Sequence, residues 1–203
     1  MMHFAAFVLA ALCSASLCGA TASAERLQRP GPTPIIDNER VAVWDGTAAD
    51  PNAPRLQGES VWISLVTPGK VVVKPKGAAA DVSGLGGRGI VISLKDAPVA
   101  PLPNRSGYPN AFPRPGVKKV LETDRVIVWD YSWTPGVPTP MHFHDKDVVV
   151  TYVETGALKS TTTNGQSTAN EFRFGDVRFN RRDRIHTELL VSGKARAIIT
   201  ELK

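Results

Sequence analysis

The sequence predicts an all-β protein, and three observations support that class. Glycine (17) and proline (16) are frequent among the 203 residues, which favours turns over long helices. Short runs of β-branched residues alternate with these turn formers, and the sequence shows little sustained helical periodicity. Hydrophobic residues make up 42% and charged residues 21%, a composition typical of a globular protein with a core. We therefore expect many short strands arranged as a barrel or a sandwich.

The first 24 residues are predicted to be a secretory signal peptide. Met1–Ala24 contains no Lys, Arg, Asp or Glu, and its apolar stretch Phe4–Leu17 is shorter than the ~20 residues of a membrane-spanning helix. It ends in Ala22-Ser23-Ala24, the small-residue pattern of a cleavage site. An uncleaved membrane anchor is the alternative. We expect cleavage after Ala24 and a periplasmic or secreted product.

Removal of that peptide decides which chemistry remains. Both cysteines, Cys13 and Cys18, lie inside it, so disulfides and thiolate chemistry are excluded from the mature chain. No later apolar run could span a bilayer, so we expect no stable membrane insertion. The net charge of +5 comes without a basic stripe interleaved with aromatic residues, which excludes nucleic acid as the main partner.

Ten strands are predicted along the rest of the chain. Turn formers separate them at Thr67-Pro68-Gly69-Lys70, at Thr155-Gly156 and at Asn164-Gly165, which is the strongest hairpin signal. The predicted strands are Arg40–Trp44, Val61–Val66, Val71–Lys74, Ile90–Leu94, Arg125–Tyr131, Val148–Val153, Ala157–Thr162, Asp176–Asn180, Thr187–Val191 and Ala195–Leu202.

An internal repeat suggests how these strands are grouped. The run Arg40–Asp45 (RVAVWD) recurs as Arg125–Asp130 (RVIVWD), and chance similarity between valine-rich strands is the alternative to a duplicated unit. Between the two halves, residues 96–116 contain six prolines, which predicts an extended, ordered connection. We therefore predict an N-terminal unit at residues 25–95 and a main domain at residues 117–203.

Three histidines in the main domain have the spacing of a metal site. His142 and His144 are two residues apart, so in a strand both imidazoles point to one face. His186 is the remaining histidine of the mature chain and precedes another predicted strand. Neutral imidazoles suit Zn, Fe, Ni or Cu. We predict His142, His144 and His186 as metal ligands, with satisfied core histidines as the alternative.

These residues resemble the two sequence motifs of the cupin superfamily. The first motif is matched at Gly136, His142, His144 and Gly156, and the second at Gly175 and His186. The resemblance covers residues 117–203. It implies a jelly-roll β-barrel with a metal ion inside, and family members are often homodimers. On this reading residues 25–95 are either a degenerate cupin-like repeat or additional strands around one barrel.

The departures from the motifs limit the set of metal ligands that the resemblance implies. Val149 stands at the position of the usual fourth ligand, a glutamate. The proline, glycine and asparagine of the second motif are replaced by Arg181, Asp183 and Leu190. A three-histidine set with open coordination positions remains, which is similar to the three-histidine cupin dioxygenases that use iron. Iron is therefore favoured, although imidazoles also accept Zn, Mn, Ni or Cu.

Several side chains could support such a centre. Asp147 is predicted to hydrogen-bond the ligands or to replace the missing carboxylate, and Glu188 to face the cavity. Exposed positions are the alternative for both. Arg182 and Arg184 could hold a carboxylate of a small substrate, or belong to a solvated loop. Trp133 is the aromatic residue expected at the cavity mouth. The sequence shows no evident general base.

Three functions fit this pattern. The first is an exported metalloenzyme of dioxygenase type that acts on a small organic acid. The second is a non-catalytic cupin of the cell envelope that binds metal or a small ligand. The third is a structural or interaction module that retains an inactive site.

Overall fold

About half of the described residues lie in β-strands and none lies in an α-helix, which confirms the predicted class. The computed structural model describes residues 33–47, 55–95 and 98–203; the predicted signal peptide lies outside these ranges. The strands are β1 (Ile36–Asp37), β2 (Val41–Thr47), β3 (Ser60–Ser64), β4 (Val71–Lys74), β5 (Arg88–Leu94), β6 (Lys118–Glu122), β7 (Val126–Trp133), β8 (His142–His144), β9 (Asp147–Tyr152), β10 (Gly156–Thr162), β11 (Ser167–Phe172), β12 (Val177–Asn180), β13 (Arg184–Gly193) and β14 (Ala195–Leu202). Within the described ranges, no helix has the length and apolar character needed to cross a membrane.

The strands form three antiparallel sheets. The N-terminal sheet has the order β1-β2-β5-β3-β4. The middle sheet has the order β12-β9-β14-β7-β6, and the histidine sheet the order β11-β10-β13-β8. Side chains from the middle and histidine sheets, among them Trp129, Tyr152 and Leu190, share one hydrophobic cluster. These two facing sheets enclose the barrel interior.

The middle sheet is buried on both faces. Successive side chains of a strand point to opposite sides, so Val128 packs against the N-terminal sheet while Trp129 points into the barrel. All six residues of β9 are buried, and the apolar faces of the N-terminal and middle sheets form a single cluster. The N-terminal strands therefore form one sheet that covers the outside of the barrel.

Most sequence-predicted strands agree with the structure, but the edge strands β1, β6, β8 and β11 were not among the ten predicted strands. β6 and β11 are polar and largely exposed, so neither carries the apolar alternation by which strands are detected. The Asn164-Gly165 hairpin signal is confirmed, because these residues join β10 to β11 and Thr162 N–H donates to the Gln166 carbonyl at 2.9 Å.

The proline-rich connection lies along the free edge of β8. The Phe143 N–H donates to the Pro109 carbonyl at 2.9 Å, and the Ala111 N–H donates to the Phe143 carbonyl at 2.8 Å. Further along, the Leu102 N–H donates to the Asp145 carbonyl at 2.8 Å. The short strand β8 is therefore held on both sides, by β13 and by the connection.

Candidate metal centre

Strand pairing brings the three histidines together. In the register between β8 and β13, His142 lies opposite His186 and Arg184 lies opposite His144. Because residues two apart share a face, His142 and His144 point the same way as the cross-strand His186. All three imidazoles are buried, with at most 8% of the residue exposed.

The imidazole nitrogens converge at the distances that a metal ion requires. His144 Nε2 and His186 Nε2 are 3.0 Å apart. Two ligands at a right angle, each ~2.1 Å from a metal ion, would also be about 3.0 Å apart. One ligand nitrogen from each of the three histidines falls within 4.8 Å of the other two. The set fits one transition-metal ion bound on a single face.

Two hydrogen bonds orient the imidazoles. The Pro140 carbonyl can only accept, so His142 Nδ1–H donates to it, at 2.8 Å. Ser160 Oγ lies 2.7 Å from His186 Nδ1 and accepts from Nδ1–H in the tautomer that leaves Nε2 without a hydrogen. Both partners thus leave an Nε2 lone pair free to bind a metal, as outer hydrogen bonds do in metal sites.

The surroundings favour neutral imidazoles. Burial lowers the pKa of His142, and Arg114 lowers it further. Burial also lowers the pKa of His144, to well below its usual value, with the neighbouring histidines adding to the effect. For His186, burial is again the largest cause and lowers the pKa to about 4. Because a metal ligand must be unprotonated, this environment suits metal binding.

A small cavity of about 30 Å³ adjoins the imidazoles. That volume holds about one water molecule. Its described lining combines apolar and aromatic side chains with two guanidinium groups and one carboxylate: Phe112, Arg114, Trp133, His144, Val148, Val150, Tyr152, Asn180, Arg184, His186, Glu188 and Ile199.

Arg114 is the site residue that sequence reasoning missed. It belongs to the proline-rich connection, yet its side chain is only 6% exposed. Its guanidinium carbon lies 4.1 Å from the ring centre of Tyr131 and 4.8 Å from that of Phe112. Nη1 lies 3.4 Å from His142 Nε2. No sequence pattern predicts this position, since an arginine among prolines is typical of a surface segment.

Glu188 is placed at the cavity, where the sequence put it as one alternative. Its carboxylate accepts from Trp133 Nε1–H at 3.0 Å and from Arg114 Nη2–H at 3.4 Å. Burial opposes its ionisation, but Arg114 and the nearby histidines hold the pKa of Glu188 below its usual value. Trp133 also lines the cavity, with 5% of the residue exposed.

Asp147 and Arg182 lie away from the histidines, whereas Arg184 lies beside them. Asp147 accepts from Arg40 Nη1 of the N-terminal unit at 2.7 Å and from the Arg182 backbone N–H at 2.9 Å. The Arg182 guanidinium donates to the Ala100 carbonyl on an exposed surface. Arg184 Nη2 lies 3.5 Å from His186 Nδ1. Asp147 is therefore paired with the N-terminal unit and does not serve as a ligand at the three histidines.

The position of the missing fourth ligand needs a correction. The sequence motif placed Val149 there, but Val149 packs against the N-terminal sheet. Its neighbour Val148 points into the barrel and lines the cavity. Because both residues are valines, neither position offers the site a carboxylate.

Two facing antiparallel sheets enclose three histidines, two from one strand and the third from its hydrogen-bonded neighbour. This arrangement defines a cupin-type barrel, so the resemblance drawn from the sequence is confirmed. The N-terminal strands are additional to that barrel.

The solved structures to which the chain is similar include cupin proteins. The chain is similar to a cupin domain from Bordetella pertussis Tohama I, with 26% identity over 45% of this chain and 97% of that chain, at a TM-score of 0.40. A cupin 2 conserved barrel domain protein from Leptotrichia buccalis is 11% identical over 84% of this chain and 88% of its own, at 0.46. The polyketide cyclase RemF from Streptomyces resistomycificus is 17% identical over 51% and 80%, at 0.37. No protein-family model and no curated protein matches the chain.

Proposed function

We propose that this protein is an exported metalloenzyme that uses one divalent transition-metal ion to transform a small molecule. The observation that carries the proposal is the convergence of three buried imidazoles beside a cavity. Export is supported by the signal-like sequence Met1–Ala24.

Each residue of the centre has a definite task in this proposal. His142, His144 and His186 would hold the ion, and a bound ion would act as a Lewis acid that orients and polarises its remaining ligands. Pro140 and Ser160 orient two of the imidazoles. The aromatic wall of Phe112, Trp133 and Tyr152 limits the water in the cavity, which strengthens charge interactions there.

We further propose iron and oxidative chemistry of dioxygenase type. The donor set supports this, because an ion held by three neutral histidines and no carboxylate would keep coordination positions for substrate and dioxygen. A non-catalytic binding protein is the second candidate, and the cavity of about 30 Å³ favours it, since that volume leaves little room for a substrate.

The test is the metal content of the exported, mature protein beside a His142→Ala/His144→Ala variant. One iron per chain, lost in the variant, with oxygen uptake on a panel of aromatic acids and thiols, would support the dioxygenase proposal. Bound metal without turnover would support the binding protein. Absence of metal from both proteins, even after reconstitution, would refute the metal centre. Amino-terminal sequencing of the same sample tests cleavage after Ala24.

A further inference from the structure

Positive charge exceeds negative charge around the three histidines. Arg114 and Arg184 both line the cavity, and Glu188 is the one carboxylate among its described lining residues. A divalent ion on the histidines would add two more positive charges. In a buried site these charges are poorly screened, so the cavity favours a ligand that brings negative charge.

Arg114 has unused hydrogen-bonding capacity. Its side chain is more than nine-tenths buried, yet its Nε–H has no partner among the described residues. Its ion pair with Glu188 is long, at 3.4 Å. A buried cation usually has close, complete pairing. The aromatic rings of Phe112 and Tyr131 fix the plane of the guanidinium but cannot accept its N–H groups in the way that oxygen does.

We infer that Arg114 binds a small carboxylate ligand at the metal centre. One carboxylate oxygen would take the place of about one water molecule in the cavity of about 30 Å³ and would face the guanidinium, whose Nη1 lies 3.4 Å from His142 Nε2. The planar fork of a guanidinium matches the planar carboxylate group. Arg184, on the other side of His186, adds a second positive charge to the same cavity. This inference rests on the proposed metal centre and names the class of its ligand.

The experiment uses the full mature protein loaded with Co²⁺, whose visible spectrum reports its ligands. Acetate and formate are the probes, and acetamide is the neutral control. We expect acetate and formate to change the cobalt spectrum saturably and acetamide to have no effect. In Arg114→Gln the dissociation constant for acetate should rise at least about tenfold, because a charge-assisted hydrogen bond is lost.

Cobalt affinity separates ligand binding from a purely structural role. Arg114→Gln removes a cation beside the metal, so cobalt should bind at least as tightly as in the wild type while acetate binds more weakly. A structural defect would weaken both. Arg114→Lys, which keeps the charge without the fork, covers the case in which the glutamine variant does not fold, and it should also bind acetate more weakly. Arg182→Gln is the matched control and should bind both as the wild type does.

The outcomes distinguish two failures. Suppose that cobalt binds the wild type but that both Arg114 variants bind acetate as tightly as the wild type does, or that acetamide binds as well as acetate. The inference is then wrong and the metal centre stands. If cobalt gives no spectrum with the wild type, the metal centre is refuted and the inference falls with it.

Discussion

The hydroxyl oxygen of Ser160 is expected to support metal binding through its hydrogen bond to His186. This hydroxyl lies 2.7 Å from His186 Nδ1 and accepts the Nδ1 hydrogen in the tautomer that binds a metal through Nε2. We expect Ser160→Ala to weaken metal binding by about 10–100-fold, the usual cost of losing a partner of a metal-bound histidine. The dissociation constant is measured by competition with a chelator.

The matched control for that variant is Ser167→Ala. Ser167 Oγ is hydrogen-bonded to Thr161 on the exposed hairpin, away from the histidines, so this variant should bind metal normally. Equal metal affinity in Ser160→Ala and the wild type would show that the hydroxyl does not set the tautomer.

The buried carboxyl of Glu201 should make the free energy of unfolding depend on pH. Burial raises the pKa of its carboxyl above 4.5, although Trp129 Nε1–H donates to it at 2.7 Å and Lys146 lies nearby. Asp145 raises the pKa and Lys203 lowers it. The folded state therefore keeps the proton to a higher pH than the unfolded state does. The contribution of Glu201 to stability falls as the pH rises from 4.5 through the folded-state pKa.

We therefore expect the stability of Glu201→Gln, relative to that of the wild type, to be greater at about pH 7 than at about pH 4. Glutamine keeps an acceptor for Trp129 and cannot ionise. Urea unfolding of both proteins at the two pH values checks this. A difference in unfolding free energy that is constant or reversed with pH would contradict it.

At the scale of elements, a buried ion pair joins the N-terminal sheet to the barrel. Arg40, just before β2, and Asp147, the first residue of β9, are 2.7 Å apart, and both side chains are less than a tenth exposed. Arg40→Met would leave the Asp147 carboxylate buried without its charged partner. We expect a loss of about 3–5 kcal/mol in the free energy of unfolding, measured with urea.

Two further variants make that test specific. Arg40→Met/Asp147→Leu should recover much of the loss, because two apolar side chains can replace a buried pair. Arg181→Gln breaks an exposed pair with Glu39 and should cost less than about 1 kcal/mol. A loss in Arg40→Met no larger than in Arg181→Gln would mean that the pair contributes little.

Some strands and site residues could be predicted from the sequence, and others could not. The structure has strands at Val71–Lys74 and Ala195–Leu202, the same bounds that the sequence predicted. Each segment is rich in β-branched residues and follows a turn-forming residue, which is the usual pattern of a strand. The spacing of His142 and His144 also predicted their shared face. Arg114 was beyond reach, since no periodicity places a connection's side chain inside a barrel. Asp147 was predicted to support the metal site, with an exposed position as the alternative, because strand parity indicates which residues share a face but not which sheet covers that face.

At the scale of the molecule, metal binding should stabilise the fold. An ion that binds the folded protein and not the unfolded chain adds about 2.7 kcal/mol when its free concentration is 100 times its dissociation constant. We expect removal of the metal with a chelator to lower Tm and added Zn²⁺ to restore it. Ca²⁺, which prefers oxygen ligands, should have no effect.

His144→Ala is the control for that measurement, because it removes one of the three ligands and should abolish the response of Tm to Zn²⁺. If the variant and the wild type respond alike, the stabilising ion binds elsewhere on the molecule.

The position of β14 within the middle sheet has a consequence for the rate of folding. β14 pairs with β7 on one side and β9 on the other, and both of these strands lie far from it in the sequence. The middle sheet therefore forms only when distant parts of the chain have met. Because such long loops must close before their contacts stabilise the fold, we expect this protein to fold more slowly than one built from local contacts.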